Sequence, residues 1–258
     1  YTFAGRPIKE AHKRDPEDPD DYSITDILVQ SLNVGTTLLA MEIGEDKLYD
    51  YLKKYRLGER HKIGLPGESL GLVRPVSKWS KVDIGMISFG QGIGVTTLQL
   101  ATVMSTIANK GMFVKPRLIN YVTDHEGVSI KATPKHYTHR VISEKTAEEV
   151  LAMMTKTVNE GTGVIVRQKG FSIAGKTGTA QKAGPGGVGY LEDEYVASFM
   201  GAFPSYDPSI VIVVNIHSPK KKIWGSSVAG PVFRGISKEI IDYYNIPPDD
   251  LVYNSGKR

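Results

Sequence analysis

The 258-residue sequence predicts an α/β (α+β) fold in which an antiparallel sheet is accompanied by helices, and three observations carry that prediction. Phe171-Ser-Ile-Ala-Gly-Lys-Thr-Gly-Thr-Ala180 alternates at its start, with Phe171 and Ile173 on one side and Ser172 and Ala174 on the other, as a half-buried strand does. Two further apolar runs, Tyr195–Phe203 and Ile210–Ile216, follow it, joined by Pro204-Ser-Tyr-Asp-Pro208; short connections favour antiparallel pairing. The segments before and after these runs carry the 3.6-residue apolar period of helices packed on a core.

Composition fits that class. Hydrophobic residues make up 40% and charged residues 23%, as in an ordinary soluble domain, and the length allows one large domain or two small ones. The net charge of +4 comes from 32 basic and 28 acidic residues, too even a mixture to argue for nucleic acid. With no cysteine there is neither a disulfide framework nor a thiolate metal site. No apolar run reaches the ~18 residues of a membrane span, and no signal peptide opens the chain. Tyr1 is not preceded by an initiator Met, so the chain is expected to be a piece of something longer.

In chain order, residues 1–22 are polar and interrupted by Pro7, Pro16 and Pro19. Their acidic knot, Asp15, Glu17, Asp18, Asp20 and Asp21, lacks the Gly and Glu an EF-hand needs at its sixth and twelfth positions and reads as a solvated loop. A helical pattern begins at Ser23, with Leu28, Leu32 and Gly35 on one face, and a second apolar stretch runs from Thr36 to Ile43. Glu45–Arg56 is an amphipathic helix with Leu48, Tyr51, Leu52 and Tyr55 on its face, stopped by Gly58. Residues 64–81 are loop-rich. Ser88-Phe-Gly-Gln-Gly92 precedes a helix capped by Thr96 or Thr97 and running to Lys110, with Leu100, Val103, Met104 and Ile107 inward. Phe113–Ile130 reads as short strands and turns, and His136 and His139 as surface histidines in a loop. Ser143 caps a helix through Val158, striped by Ala147, Val150, Leu151, Met154 and Val158. A glycine-rich excursion, Gly184–Gly189, leaves the central strand. Pro231 is expected to open a last helix carrying Val232, Phe233, Ile236, Ile240 and Tyr243, closed by Pro247-Pro248.

Several motifs compete for the chemistry. Gly170-Phe-Ser-Ile-Ala-Gly-Lys-Thr177 matches the phosphate-binding pattern G-x-x-x-x-G-K-[ST], which works by opening a helix whose N-terminus holds phosphate. Thr179–Gly189 holds five more glycines or prolines and cannot be a good helix, which argues against a nucleotide. The glycines at 90, 92 and 94 miss the dinucleotide spacing, because Val95 stands where the third belongs. Lys176, Thr177 and Thr179 instead place a cation and two hydroxyls around Gly178, where no Cβ obstructs a ligand laid along a strand edge.

Joined with Ser31-Leu32-Asn33, this Lys-Thr-Gly-Thr stretch resembles the penicillin-binding proteins and their relatives the serine β-lactamases, whose signature combines S-x-x-K, S-D-N or S-x-N, and K-T-G. Ser88–Gly92 with its following helix, Ala174–Gln181, Val196–Phe203 and Val228–Phe233 extend the resemblance, in order, to class B penicillin-binding proteins, the peptidoglycan D,D-transpeptidases. The resemblance covers essentially the whole chain. It implies one transpeptidase domain over residues 1–258, helices on both faces of the sheet, and acyl transfer from a D-Ala-D-Ala stem peptide, with β-lactams as mimics and no cofactor or metal.

The roles it implies are a proton relay for Ser31, a hold on the substrate amide for Asn33, a positive field for Lys176, and carboxylate binding by the Thr177 and Thr179 hydroxyls beside Gly178. The Thr179 N–H would form half of an oxyanion hole. It further implies an envelope location on the extracytoplasmic face of the membrane, an anchor upstream, and partners among wall-synthesis or division proteins. One departure matters. The nucleophile motif S-x-x-K should lie upstream of Ser31, and the S-x-x-K present, Ser218-Pro-Lys-Lys221, follows a strand, contains proline and reads as a surface turn. The domain is thus expected to lack its N-terminal part, which would complete the site. A β-lactamase with an added deacylating base, or a non-enzymatic penicillin sensor, would use the same residues.

Overall fold

The computed structural model describes residues 1–11, 21–132, 137–187 and 189–249. A hairpin of β1 (Thr2–Phe3) and β2 (Arg6–Pro7) leads to α1 (Ile24–Gln30), α2 (Asn33–Ile43) and α3 (Glu45–Lys54). Next come α4 (Asp83–Ser88) and α5 (Thr97–Ala108), and then four short strands: β3 (Met112–Val114), β4 (Tyr121–Thr123), β5 (Ser129–Ala132) and β6 (Thr138–Arg140). α6 (Glu144–Glu160) precedes the principal sheet of β7 (Ala174–Ala183), β8 (Tyr190–Phe203) and β9 (Ile210–His217), and α7 (Gly225–Tyr244) follows it.

The expected antiparallel sheet is present in the order β7-β8-β9, which leaves β7 at an edge among the described strands. Its register runs from Ala174 opposite Ala202 to Gln181 opposite Tyr195, and from Val196 opposite His217 to Phe203 opposite Ile210. The alternation read from Phe171–Ala174 holds, but this entry to the strand is buried on both sides instead of one, while Lys176–Ala180 farther along are half-buried. Ile173 belongs to a core with Phe199, Phe203, Val214 and Phe233, while Ala174 belongs to a second with Met104, Leu151, Met154 and Ala202. α7 closes the first face and α5 with α6 the second, because successive side chains of a strand point to opposite sides. The strands also extend beyond the expected bounds: Tyr190–Glu194 continue β8 outward, and the bulge between Gln181 and Ala183 absorbs the mismatch.

Local signals explain the helices. Thr96 caps α5 by accepting from Gln99 N, and the Gln99 side chain answers at Thr96 N, a complete capping box. Ser143 caps α6 through Thr146 N. α3 and α5 stop earlier than expected, at Lys54 and Ala108, where Arg56 and Lys110 take positive φ of 57° and 52°. In α5 the buried residues are Gln99, Thr102, Met104, Thr106 and Ile107, whereas Leu100 and Val103 are half-buried. His139 departs from the surface-loop expectation. It lies in β6, its ring 5.0 Å from that of Phe113, with Nε2 2.7 Å from Lys54 O. His136 and the acidic residues 15, 17, 18 and 20 lie outside the described residues.

The clearest correction concerns α7, which Pro231 does not open: the helix begins at Gly225, with Pro231 inside it. An internal proline removes one helical N–H and presses on the carbonyl four residues back. Tertiary packing holds the preceding turn in place. A Cβ on Gly225 would stand 2.3 Å from Ser198 O and 2.4 Å from Gly178 O, so only glycine lets the helix start against the sheet. The buried residues differ in part from the apolar set named from the sequence. Ala229, Gly230, Phe233, Ser237 and Ile241 face inward, whereas Val232 (42% exposed), Ile236 (40%) and Tyr243 (79%) do not. Small residues share with Phe233 and Ile241 the side that meets the strands.

That face makes a stability prediction. Phe233→Ala removes a fully buried ring 4.7 Å from Phe199 and should destabilise by about 3–5 kcal/mol in urea titration. Val232→Ala should change stability by less than about 1 kcal/mol. Comparable losses for both would restore the face expected from the sequence.

Candidate active site

The turn between α1 and α2 puts Ser31 where a helix ends. Ser31 takes the left-handed conformation, φ 60° and ψ 48°, and Leu32 N–H returns to Ile27 O at 3.0 Å, closing α1. A serine at positive φ is uncommon and persists where its surroundings over-determine it. Close packing supplies that constraint, since a Cβ on Gly35 would meet Ile27 at 2.6 Å and one on Gly161 would meet Val29 O at 2.4 Å. α2 and the end of α6 are thereby pressed onto α1.

Lys176, on the β7 edge, reaches this turn. Its Nζ donates to Ser31 Oγ at 2.7 Å, bridging 145 residues of sequence, and lies 3.3 Å from Thr177 O. Burial pushes the Lys176 ammonium from its ordinary 10.5 down to about 8. Because Ser31 Oγ accepts that bond, its own hydrogen remains available to donate elsewhere. The cation is thus protonated at neutral pH but within reach of titration.

The other expected residues take distinct positions. Asn33 is the first residue of α2, and its Nδ2 donates to Lys9 O at 2.9 Å. Thr177 Oγ1 donates to Thr162 Oγ1 at 3.0 Å, in the Gly161-Thr-Gly163 turn after α6. Thr179 Oγ1 accepts from Gly225 N at 2.9 Å, satisfying an N–H at the start of α7. A Cβ on Gly178 would fall 2.4 Å from Ser198 Oγ, so the neighbouring strand needs this glycine independently of any ligand. The structure therefore brings Ser31 and Lys176 into contact. Asn33 lies beside them on its own anchor, and the two threonines lie farther along the same strand.

Sequence reading missed Lys9, Glu10, Thr162 and Gly225. Thr162 carried a faint signal, a hydroxyl between two glycines, while the others act through backbone or from a remote segment. Across the hairpin, Tyr190 Oη accepts from Gly92 N at 3.0 Å, tying β8 to the Ser88–Gly92 loop. The phosphate-loop pattern opens no helix, because its Lys176 and Thr177 lie within β7, which continues to Ala183. Ser218 is a turn residue, as expected, but the lysine that reaches it is Lys182, at 2.9 Å. Lys182 also pairs with Glu194 at 3.6 Å, and hydrogen bonds from Ser218 and Lys220 hold the Glu194 carboxyl below its usual range. This corner is an ion-pair cluster in which Lys182 and Lys220 share Glu194.

The lowered Lys176 value yields a signed prediction. Between pH 8 and 10.5 the unfolded chain holds this proton while the folded chain has released it. The site therefore adds stability as pH rises through that window and penalises the charged fold below it. Relative to Lys176→Met, the native chain should gain in urea midpoint from about pH 7 to about pH 10. A difference that stays constant with pH would show that Lys176 titrates at its ordinary value.

Residues 1–238 match the family model described as the penicillin binding protein transpeptidase domain. Penicillin-binding protein PbpB of Mycolicibacterium smegmatis is 37% identical over 236 residues, which is 88% of this chain and 36% of that protein. Peptidoglycan D,D-transpeptidase FtsI of Escherichia coli is 34% identical over 253 residues, 97% of this chain and 40% of that protein. The crystal structure of penicillin binding protein 3 from Mycobacterium tuberculosis complexed with aztreonam superimposes with a TM-score of 0.84 at 34% identity, covering 95% of this chain and 56% of that one. The chain spans well under half the length of these two curated relatives.

Proposed function

The chain belongs to the penicillin-binding protein transpeptidase family, and on that premise we propose that it forms the Ser-x-Asn and Lys-Thr-Gly side of a serine D,D-transpeptidase site. The observation that carries the reading is the 2.7 Å contact between Lys176 Nζ and Ser31 Oγ, which unites two motifs 145 residues apart. The nucleophilic serine and its lysine would come from an S-x-x-K segment upstream of Ser31.

In this mechanism the serine oxygen attacks the carbonyl between the last two D-alanines of a stem peptide. The C–N bond breaks, D-alanine leaves with a proton delivered to its nitrogen, and an amine of a second stem then takes the acyl group and releases the serine. Ser31 suits the proton relay, because its Oγ accepts from Lys176 and its own O–H is left to donate toward the leaving nitrogen. Lys176 supplies positive field for the substrate's terminal carboxylate and keeps a neighbouring lysine neutral, since two cations in a desolvated site oppose one another. Asn33 holds the substrate amide through the amide atoms that Lys9 O does not occupy. The Thr177 and Thr179 hydroxyls border the carboxylate along the strand edge, and the Thr179 N–H provides half of the oxyanion hole.

The names of the relatives fit a wall-synthesis enzyme of the cell envelope, and the related Mycobacterium tuberculosis protein was crystallised with the β-lactam aztreonam. We place this site outside the cytoplasmic membrane, anchored by an upstream segment and working beside other division or elongation proteins. No helix among the described residues is long and apolar enough to cross a membrane.

Intact-mass spectrometry with a β-lactam tests the proposal. The complete polypeptide should gain one persistent adduct on a serine of the upstream segment, and residues 1–258 alone should gain none. An adduct on Ser31 or Ser218 of the isolated chain contradicts the assignment, and rapid hydrolysis of the adduct would identify a β-lactamase instead.

A further inference from the structure

We propose that Glu10 is a positioning residue for the site, holding the Ser31–Asn33 turn in its working geometry. The inference rests on the transpeptidase reading above. Its basis is a defect in α2. This 11-residue helix has Leu32 as its N-cap, whose side chain accepts no hydrogen bond, and its first turn holds no acidic residue. The first N–H groups of such a helix lack partners within the helix. Glu10 supplies them from 23 residues upstream. Its Oε2 accepts from Asn33 N at 2.6 Å and its Oε1 from Val34 N at 3.0 Å, so one carboxylate spans both amides. Bonds from N–H to a carboxylate are stronger than neutral ones, and a negative charge at this end also meets the positive pole of the helix.

A second contact converts a helix cap into a clamp on a functional side chain. The adjacent Lys9 O accepts from Asn33 Nδ2 at 2.9 Å. Main chain and side chain of Asn33 are thus gripped by consecutive residues, which fixes the plane of the amide proposed to hold the substrate. The peptide planes that Glu10 binds, Leu32–Asn33 and Asn33–Val34, begin one residue after Ser31, the residue held at φ 60°, while Lys176 holds the Ser31 hydroxyl. The gripping segment is itself anchored. Ile8 is buried, with its N–H 2.7 Å from Tyr1 O, and the Phe3 ring lies against Gly85 of α4, where a Cβ would stand 2.9 Å away. The hairpin β1–β2 therefore delivers Glu10 to a defined place.

The test uses the complete polypeptide carrying the S-x-x-K segment, with stopped-flow acylation by a chromogenic cephalosporin well below the melting temperature. Glu10→Ala should slow the acylation rate constant about tenfold per folded molecule. Glu10→Gln, which keeps acceptor oxygen without charge, should recover part of that loss. Amide exchange at Asn33 and Val34 should accelerate in both variants. A purely structural cap would lower the melting temperature and leave the acylation rate per folded molecule unchanged, and that result overturns the proposal. If Glu10→Ala does not fold, a native rate in Glu10→Gln together with accelerated exchange has the same force. Absence of acylation in the unsubstituted protein would instead remove the transpeptidase reading itself.

Discussion

Lys176 donates to Ser31 across 2.7 Å, and much of the structure can be understood as what is needed to keep those two atoms together. One partner sits on an edge strand and the other at a helix break, and neither place is rigid by itself. The entry to β7 is anchored on both sides, with Ile173, just before it, in the core under α7 and Ala174, its first residue, in the core under α5 and α6. The helix break is made rigid by close backbone approach, at Gly35 against Ile27 and at Gly161 against Val29. The base of the central strand is tied down as well. Asp249, almost fully buried, accepts from Ser172 N at 2.6 Å and from the Ser172 hydroxyl, while Ser172 Oγ in turn accepts from Ser205 N at 2.9 Å.

The same contact has an electrostatic cost. A lysine whose ammonium is pushed to about 8 by burial is held in a state it would not choose, and nothing in its shift comes from a neighbouring carboxylate. A salt bridge there would raise stability and occupy the cation. With no such bridge among the described residues, positive field is available to an anionic ligand, the pattern expected where a charge serves binding more than folding. Lys182, six residues along the strand, shows the contrast: it is paired with Glu194, and a serine within 2.9 Å of it gains no comparable environment.

Legibility in the sequence followed the range of the interactions. Strands β7, β8 and β9 were plain, because alternation and short connections are local signals. The capping residues Thr96 and Ser143 were plain for the same reason. Pro231 misled, because a local rule placed it at a helix start, while the contact that sets the start is between Gly225 and the backbone of Gly178 and Ser198. Of the residues expected on α7, Phe233 and Ile240 pack on the core while Val232, Ile236 and Tyr243 are exposed, and the close approach to the strands also took in Ala229, Gly230 and Ser237, which carry no apolar signal of comparable size. Ser31, Asn33 and Lys176 were proposed from motif spacing and family resemblance, and of these the structure joins Lys176 to Ser31. Glu10 carried no signal, being one acidic residue in a polar, proline-broken stretch. Its meaning appears only when Asn33 N and Val34 N are seen to need it.

The pairing of Ser31 with Lys176 is tested most directly by a double-mutant cycle on the acylation rate constant of the complete polypeptide, using Ser31→Ala, Lys176→Ala and the double variant. If the two act as one unit, the double variant should be no slower than the worse single variant to within about threefold, giving a coupling of 1 kcal/mol or more in magnitude, within the range of roughly 0.5–3 kcal/mol seen for contacting residues. Losses that simply multiply would show that the 2.7 Å contact is incidental to the chemistry.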